Sequence, residues 1–180
     1  MAAKNTVKKK RTEYSSRITF DENFQKIVQF YLFETPIEGA SHRGKTFKDM
    51  GWTGSSRYQM LERLLKSASG MNDDHWNILE SQSEVRKQSK DVAQDRQFIY
   101  SDQSKGRVPT FIYSIRNAFA HGSFDILEIK GERHYFFENE YRGNLRTRML
   151  LSERTLLEWI KIIKTKPEYL TKKAQKKRKQ

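Results

Sequence analysis

The chain contains no cysteine. That removes disulfides and thiolate nucleophiles and fits a reducing compartment. Three prolines and nine glycines in 180 residues exclude a low-complexity or loop-only polypeptide. No apolar run approaches the roughly 20 residues that a membrane-spanning helix requires. Lysines near residue 1 are not followed by an apolar segment, so no secretory signal is read there. The expectation is a soluble, cytoplasmic protein with no membrane contact. Four scattered histidines without ligand spacing predict no metal site and no cofactor.

What is present is basic charge and aromatic bulk. Aromatic residues make up 12% of the chain, enough apolar side chain for a packed core. The net charge is +13, but its placement is uneven. Residues 1–17 carry six cations against Glu13, and residues 171–180 carry six cations and no acid, so the body holds about +2. Residues 1–17 are read as a disordered basic arm, 18–167 as one domain and 168–180 as a disordered basic tail. Such tails attract polyanions without sequence preference. They serve equally well as solubilising extensions.

Helical periodicity dominates the body. Thr19-Phe20-Asp21-Glu22 fits a capping box ahead of Phe24, Ile27, Val28, Tyr31 and Leu32, predicting a helix at about 20–33. Residues 36–54 form a glycine-containing loop whose Phe47, Met50 and Trp52 are expected to pack inward. Gly44-Lys45-Thr46 lacks the glycine-rich run and preceding strand of a phosphate loop. A second helix covers about Ser55 to Ser69 and stops at Gly70. Asn72, with Asp73 and Asp74 behind it, predicts a third helix anchored by Trp76, Ile78 and Leu79. Ser81 to Gln97 is mostly polar and reads as one long exposed helix or as two with a break. Ser101 to Arg107 reads as loop.

A helix opening at Pro109 and stopping at Gly122 follows. Phe124–Lys130 and Arg133–Phe137 predict a β-hairpin around Gly131, and Asn144–Leu151 a possible third strand. Ser152 caps a last helix with Leu156, Trp159, Ile160 and Ile163 on its apolar side.

The 109–122 helix carries the chemistry. At about 100° per residue, Phe111, Ile112, Ile115, Ala118 and Phe119 fall on one side. Tyr113, Arg116, Asn117, Ala120 and His121 fall on the other. A guanidinium fork suits phosphate oxygens, and an imidazole gives or takes a proton near neutrality. RNA supplies a nucleophile in its own 2′-hydroxyl, so this pair needs no metal to cleave a phosphodiester. In-line displacement needs a base and an acid, which two such helices related by a twofold axis near Ala120 would supply. A histidine before a glycine stop also serves as a plain helix cap. Tyr113 is placed to stack on a base or to pack in a dimer interface, and is carried as the substrate-binding candidate. His134 reads as an exposed strand residue.

The string Ile115-Arg116-Asn117-Ala118-Phe119-Ala120-His121-Gly122 resembles the signature of HEPN (higher eukaryotes and prokaryotes nucleotide-binding) domains: Arg, a polar residue, three variable positions and His at a helix end. Ser123-Phe124, Tyr135 to Asn139, Gly143 and Leu150 to Ile163 are similar to a prokaryotic branch with a hairpin between the motif helix and the last helix. The resemblance covers roughly residues 109–165. It implies a mainly α fold, a HEPN-like helical bundle with a small β-hairpin, possibly three-stranded, dimeric through the 109–121 helix. It implies a metal-independent endoribonuclease of toxin–antitoxin or anti-phage systems, with RNA as substrate and an antitoxin or defence partner. By position, His121 would be the acid/base, Arg116 the phosphate ligand and Asn117 the orienting group. Some members are non-catalytic modules that bind RNA, a nucleotide or a partner protein.

Overall fold

The computed structural model describes residues 21–40, 44–71, 76–79, 81–89 and 106–170, and the backbone of 96–100. The basic arm at 1–17, the cationic run at 171–180, Thr19, His42 and the Asn72–His75 helix start lie outside the described residues.

The first helix, α1 (Glu22–Val28), starts at Asp21, whose carboxylate accepts the Phe24 amide at 2.9 Å. Asp21 thus caps the helix by relieving an amide that has no intrahelical acceptor. The helix widens into a π-helical turn at Gln29–Phe33, where the Glu34 amide reaches back to the Gln29 and Phe30 carbonyls. In that wider turn both Phe30 and Tyr31 are buried, their rings edge to face with centroids 5.0 Å apart. The segment from Pro36 to Thr53 is tied down as expected: Phe47 and Trp52 are buried, and the Trp52 indole donates to the Ile163 carbonyl at 2.9 Å. A Cβ at Gly44 would fall 2.6 Å from the Glu34 carbonyl oxygen, so only glycine lets the two backbones approach.

Helix α2 (Gly54–Ala68) buries Leu61 and Leu65. Strand β1 (Trp76–Leu79), α3 (Gln82–Gln88) and β2 (Arg96–Tyr100) follow, with β1 and β2 parallel and Trp76 opposite Gln97. A parallel pair needs a crossover, and α3 provides it. Then come α4 (Arg107–Ala120), β3 (Phe124–Ile129), β4 (Glu132–Tyr141), β5 (Asn144–Ser152) and α5 (Glu153–Lys164). As expected, Ser152 caps α5, its hydroxyl accepting from the Thr155 amide at 3.2 Å.

The five strands form one sheet in the order β1-β2-β5-β4-β3. This overturns the mainly α, HEPN-like helical bundle with a small β-hairpin: the protein is mixed α/β. The hairpin and the possible third strand are only the antiparallel half of the sheet. Arg96–Tyr100 joins that half to β1 by pairing with β5, Arg96 facing Leu150. The expected third helix is instead an edge strand at Trp76–Leu79, and of Ser81–Gln97, read as one long helix or two with a break, the described residues are helical at Gln82–Gln88 and strand from Arg96. The cause is non-local. Trp76 fills the gap between Phe111 and Trp159, with centroids 4.0 and 5.6 Å away, and tertiary burial overrides the local helix signal.

Alternation along β4 and β5 sends Tyr135, Phe137, Met149 and Leu151 into one core with Phe24, Phe119, Leu156 and Trp159. Helices α4 and α5 lie on these strands, and α1 and α2 pack against them. Trp159 is fully buried with its indole donating to the Leu65 carbonyl at 3.1 Å. Truncating such a residue to alanine costs about 3–5 kcal/mol. Arg133 joins Asp21 at the start of α1 to Glu153 at the start of α5, and the Tyr135 hydroxyl donates to Glu153 at 3.1 Å. Residues 167–170 make a helical turn in which Pro167 is buried.

Candidate functional site

Helix α4 places the candidate residues. Gly106, at φ 73°, precedes it, and Pro109 sits in its first turn, where an amide proton is not required. Val108, Phe111, Ile112, Ser114, Ile115, Ala118 and Phe119 are its buried side. Ser114 is polar but satisfied: its carbonyl accepts from Asn139 at 2.8 Å and its hydroxyl meets Thr147 at 3.2 Å. These bonds lock the rotation of α4 on the sheet, and with it the direction of the opposite face.

The helix ends as Gly122 predicts. Gly122 adopts φ 63°, its amide bonds the Phe119 carbonyl, and the Ser123 amide bonds the Ala118 carbonyl at 2.8 Å. This paired closure satisfies carbonyls that would otherwise be orphaned. His121 is the C-cap and is exposed. Its side chain makes no hydrogen bond among the described residues, so its ring is free to meet a substrate.

Arg116 and Asn117 are half-buried, and Arg116 Nη1 donates to Asn117 Oδ1 at 3.2 Å. The Arg116 Nε is buried with no partner. An unmet buried donor costs about 1–3 kcal/mol, so one kept in a native fold calls for a reason, of which a bound ligand is one. Asn117 precedes His121 by one helical turn, which sets their side chains about 5–6 Å apart at Cβ. Ala120, between them in the wheel, is exposed.

Tyr113 and Arg116 face differently from what the wheel alone implies. With Pro109 they line an open groove of about 750 Å³ that residues 36–40 and 46–49 and Tyr58 line as well. Asn117 and His121 are not among its lining residues. The outward side of α4 therefore divides into an N-terminal half that borders this groove and a C-terminal half, Asn117 to His121, that opens to solvent.

The groove also brings in Glu38, Lys48, Asp49 and Tyr58, which reading the sequence passed over. Thr46 and Asp49 bond reciprocally: the Thr46 amide and hydroxyl donate to Asp49 Oδ2 at 2.9 and 2.7 Å, and the Asp49 amide donates to the Thr46 hydroxyl at 3.2 Å. The Thr46 hydroxyl, then its amide, hold the Asp49 carboxyl below the usual range. The Thr-x-x-Asp spacing was the available signal. Burial raises the Tyr58 phenol above its ordinary value.

His134 is not the exposed strand residue expected. It has no accessible surface, and its Nδ1 lies 2.9 Å from the Glu132 carbonyl oxygen. Among the described residues no three His, Asp or Glu side chains gather as a metal-ligating group, and no helix is long and apolar enough to cross a membrane. Comparison with known families, curated proteins and solved structures finds no match to this chain.

Proposed function

We propose that this protein is a metal-independent endoribonuclease whose site is the outward face of α4 from Arg116, at the groove's edge, to His121 in solvent. The carrying observation is that His121 is exposed and unengaged one turn beyond the bonded Arg116–Asn117 pair. The kinship with HEPN proteins is proposed for the motif and its chemistry. In this mechanism Arg116 binds the scissile phosphate and stabilises the charge that builds on its oxygens. Asn117 steadies the guanidinium and contacts the substrate. His121 removes the proton of the attacking 2′-hydroxyl or gives one to the leaving 5′-oxygen. The oxygen–phosphorus bond formed and the one broken leave a 2′,3′-cyclic phosphate and a 5′-hydroxyl.

One imidazole cannot stand on both sides of the phosphorus, so the active form is a homodimer through the 109–121 helix, which adds the second His121. Exposed Ala120 supports this, because a small side chain lets two helices approach. Tyr113 sits in the groove beside the phosphate site, which suits a base-contacting role. We assign the protein to the cytoplasm, in a toxin–antitoxin or anti-phage system with an antitoxin or defence partner, its basic arm and tail helping to hold RNA.

The test is incubation with RNA and with its all-2′-deoxy counterpart in EDTA. Cleavage of RNA alone is expected. Cleavage of both strands, or loss of activity with EDTA, defeats the mechanism. The second reading is a non-catalytic RNA- or nucleotide-binding module. It is favoured by the groove at Arg116, which can hold a ligand whether or not His121 acts. Saturable RNA binding without cleavage would select it.

A further inference from the structure

We propose that the groove lined by α4, by residues 36–40 and by residues 46–49 is a nucleotide subsite selective for guanine. The proposal rests on the nuclease reading only for the source of the nucleotide, an RNA strand.

Size and stiffness come first. A volume of about 750 Å³ lies within the range of roughly 300–1,000 Å³ typical of small-ligand sites. The wall is already built. Phe47 and Trp52 are buried, Thr46 and Asp49 bond each other, and Gly44 fits against the Glu34 backbone.

The lining chemistry decides the ligand. Tyr58 from α2 and Tyr113 from α4 both line the groove and supply aromatic surface, and Phe47 braces the Tyr58 ring edge to face at 5.8 Å. Such rings stack on a base without needing a particular sequence. The Arg116 guanidinium and the Lys48 ammonium supply positive charge for a phosphate. Two carboxylates, Glu38 and Asp49, share the groove. A plain polyanion track would exclude them, because they repel phosphate. They fit a ligand that carries hydrogen-bond donors as well as an anion.

Asp49 Oδ2 is taken by Thr46. Glu38 is exposed and makes no ion pair among the described residues, leaving both its oxygens open. Guanine alone among the four bases offers two adjacent donors, N1–H and the 2-amino group, to a carboxylate with two oxygens. Adenine and cytosine offer an amino group beside an acceptor nitrogen, and uracil a single N–H between carbonyls. Glu38 is therefore the residue that reads the base.

The experiment titrates the full chain in EDTA with the four nucleoside 3′-monophosphates, followed by calorimetry. The guanosine nucleotide should bind at least tenfold more tightly than the uridine one. Glu38→Gln should shrink that preference below threefold with an unchanged melting temperature, and Lys48→Gln should weaken all four alike. A single-guanosine RNA oligomer should compete for the site. Equal affinity for the four, a preference untouched by Glu38→Gln, or no competition by the oligomer overturns the proposal. Binding with guanine preference but no RNA cleavage keeps the subsite and removes the nuclease. Cleavage with no base preference does the reverse.

Discussion

His121 and His134 sit on either side of one hairpin strand and occupy opposite environments. His121 closes α4 in solvent with its side chain unengaged. His134 has no accessible surface and is held through Nδ1 by the Glu132 carbonyl. A carbonyl only accepts, so Nδ1 carries the proton and the buried Nε2 is left without a partner. One imidazole is open to solvent and unengaged. The other is a packing element with a polar atom to spare. Residue type does not separate them; exposure does, and exposure follows from where β4 crosses the sheet.

The largest expected effect tests the first half of that contrast. His121→Ala should lower RNA cleavage by a factor of about 10²–10⁴, the usual contribution of a general acid or base. Its denaturation midpoint should stay within about 0.5 kcal/mol of the parent, as for an exposed site. Retained activity would remove His121 from the mechanism. His134→Ala should behave oppositely, losing about 1–3 kcal/mol in urea denaturation while the folded fraction cleaves at the parental rate. If it instead abolished turnover without destabilisation, the two histidines would have to exchange roles.

Asn117→Ala removes one bond to Arg116, and at about 1 kcal/mol should cost roughly fivefold in kcat/KM, read from single-turnover and steady-state kinetics. A loss as large as that of His121→Ala would make Asn117 a partner in proton transfer. The smallest effect lies away from the site, where Asp21 caps α1 and pairs with Arg133. The bond to the Phe24 amide first, then Arg133, hold its carboxyl below the ordinary 3.8. Its folded-state pKa is depressed, so its contribution is present above pH 3.8 and fades as pH falls through the lower folded value. Asp21→Asn keeps a capping side chain but loses the charge. It should cost at most about 1 kcal/mol near neutrality, and this difference should vanish in strongly acidic denaturation curves.

Legibility divides along the same line. Gly122 as a helix stop, Ser152 as a cap, the hairpin around Gly131 and the buried side of α4 were readable because each is written within a few residues. Trp76–Leu79 and Arg96–Tyr100 were not. Each is a strand only because the other, β5 and the Phe111–Trp159 gap lie beside it. The candidate site was half legible: the wheel separated Arg116, Asn117 and His121 from the core. It could not show that residues 36–40 and 46–49 line a groove with Tyr113 and Arg116 that Asn117 and His121 do not border.

By itself the sequence determined which side chains α4 turns away from the core, because helical periodicity and a glycine terminator are local properties of the chain. Only the tertiary structure decided that the protein is mixed α/β, that His134 is interior, and that Arg116 borders a groove. Those depend on pairing and burial between segments far apart in the chain, which no local pattern encodes.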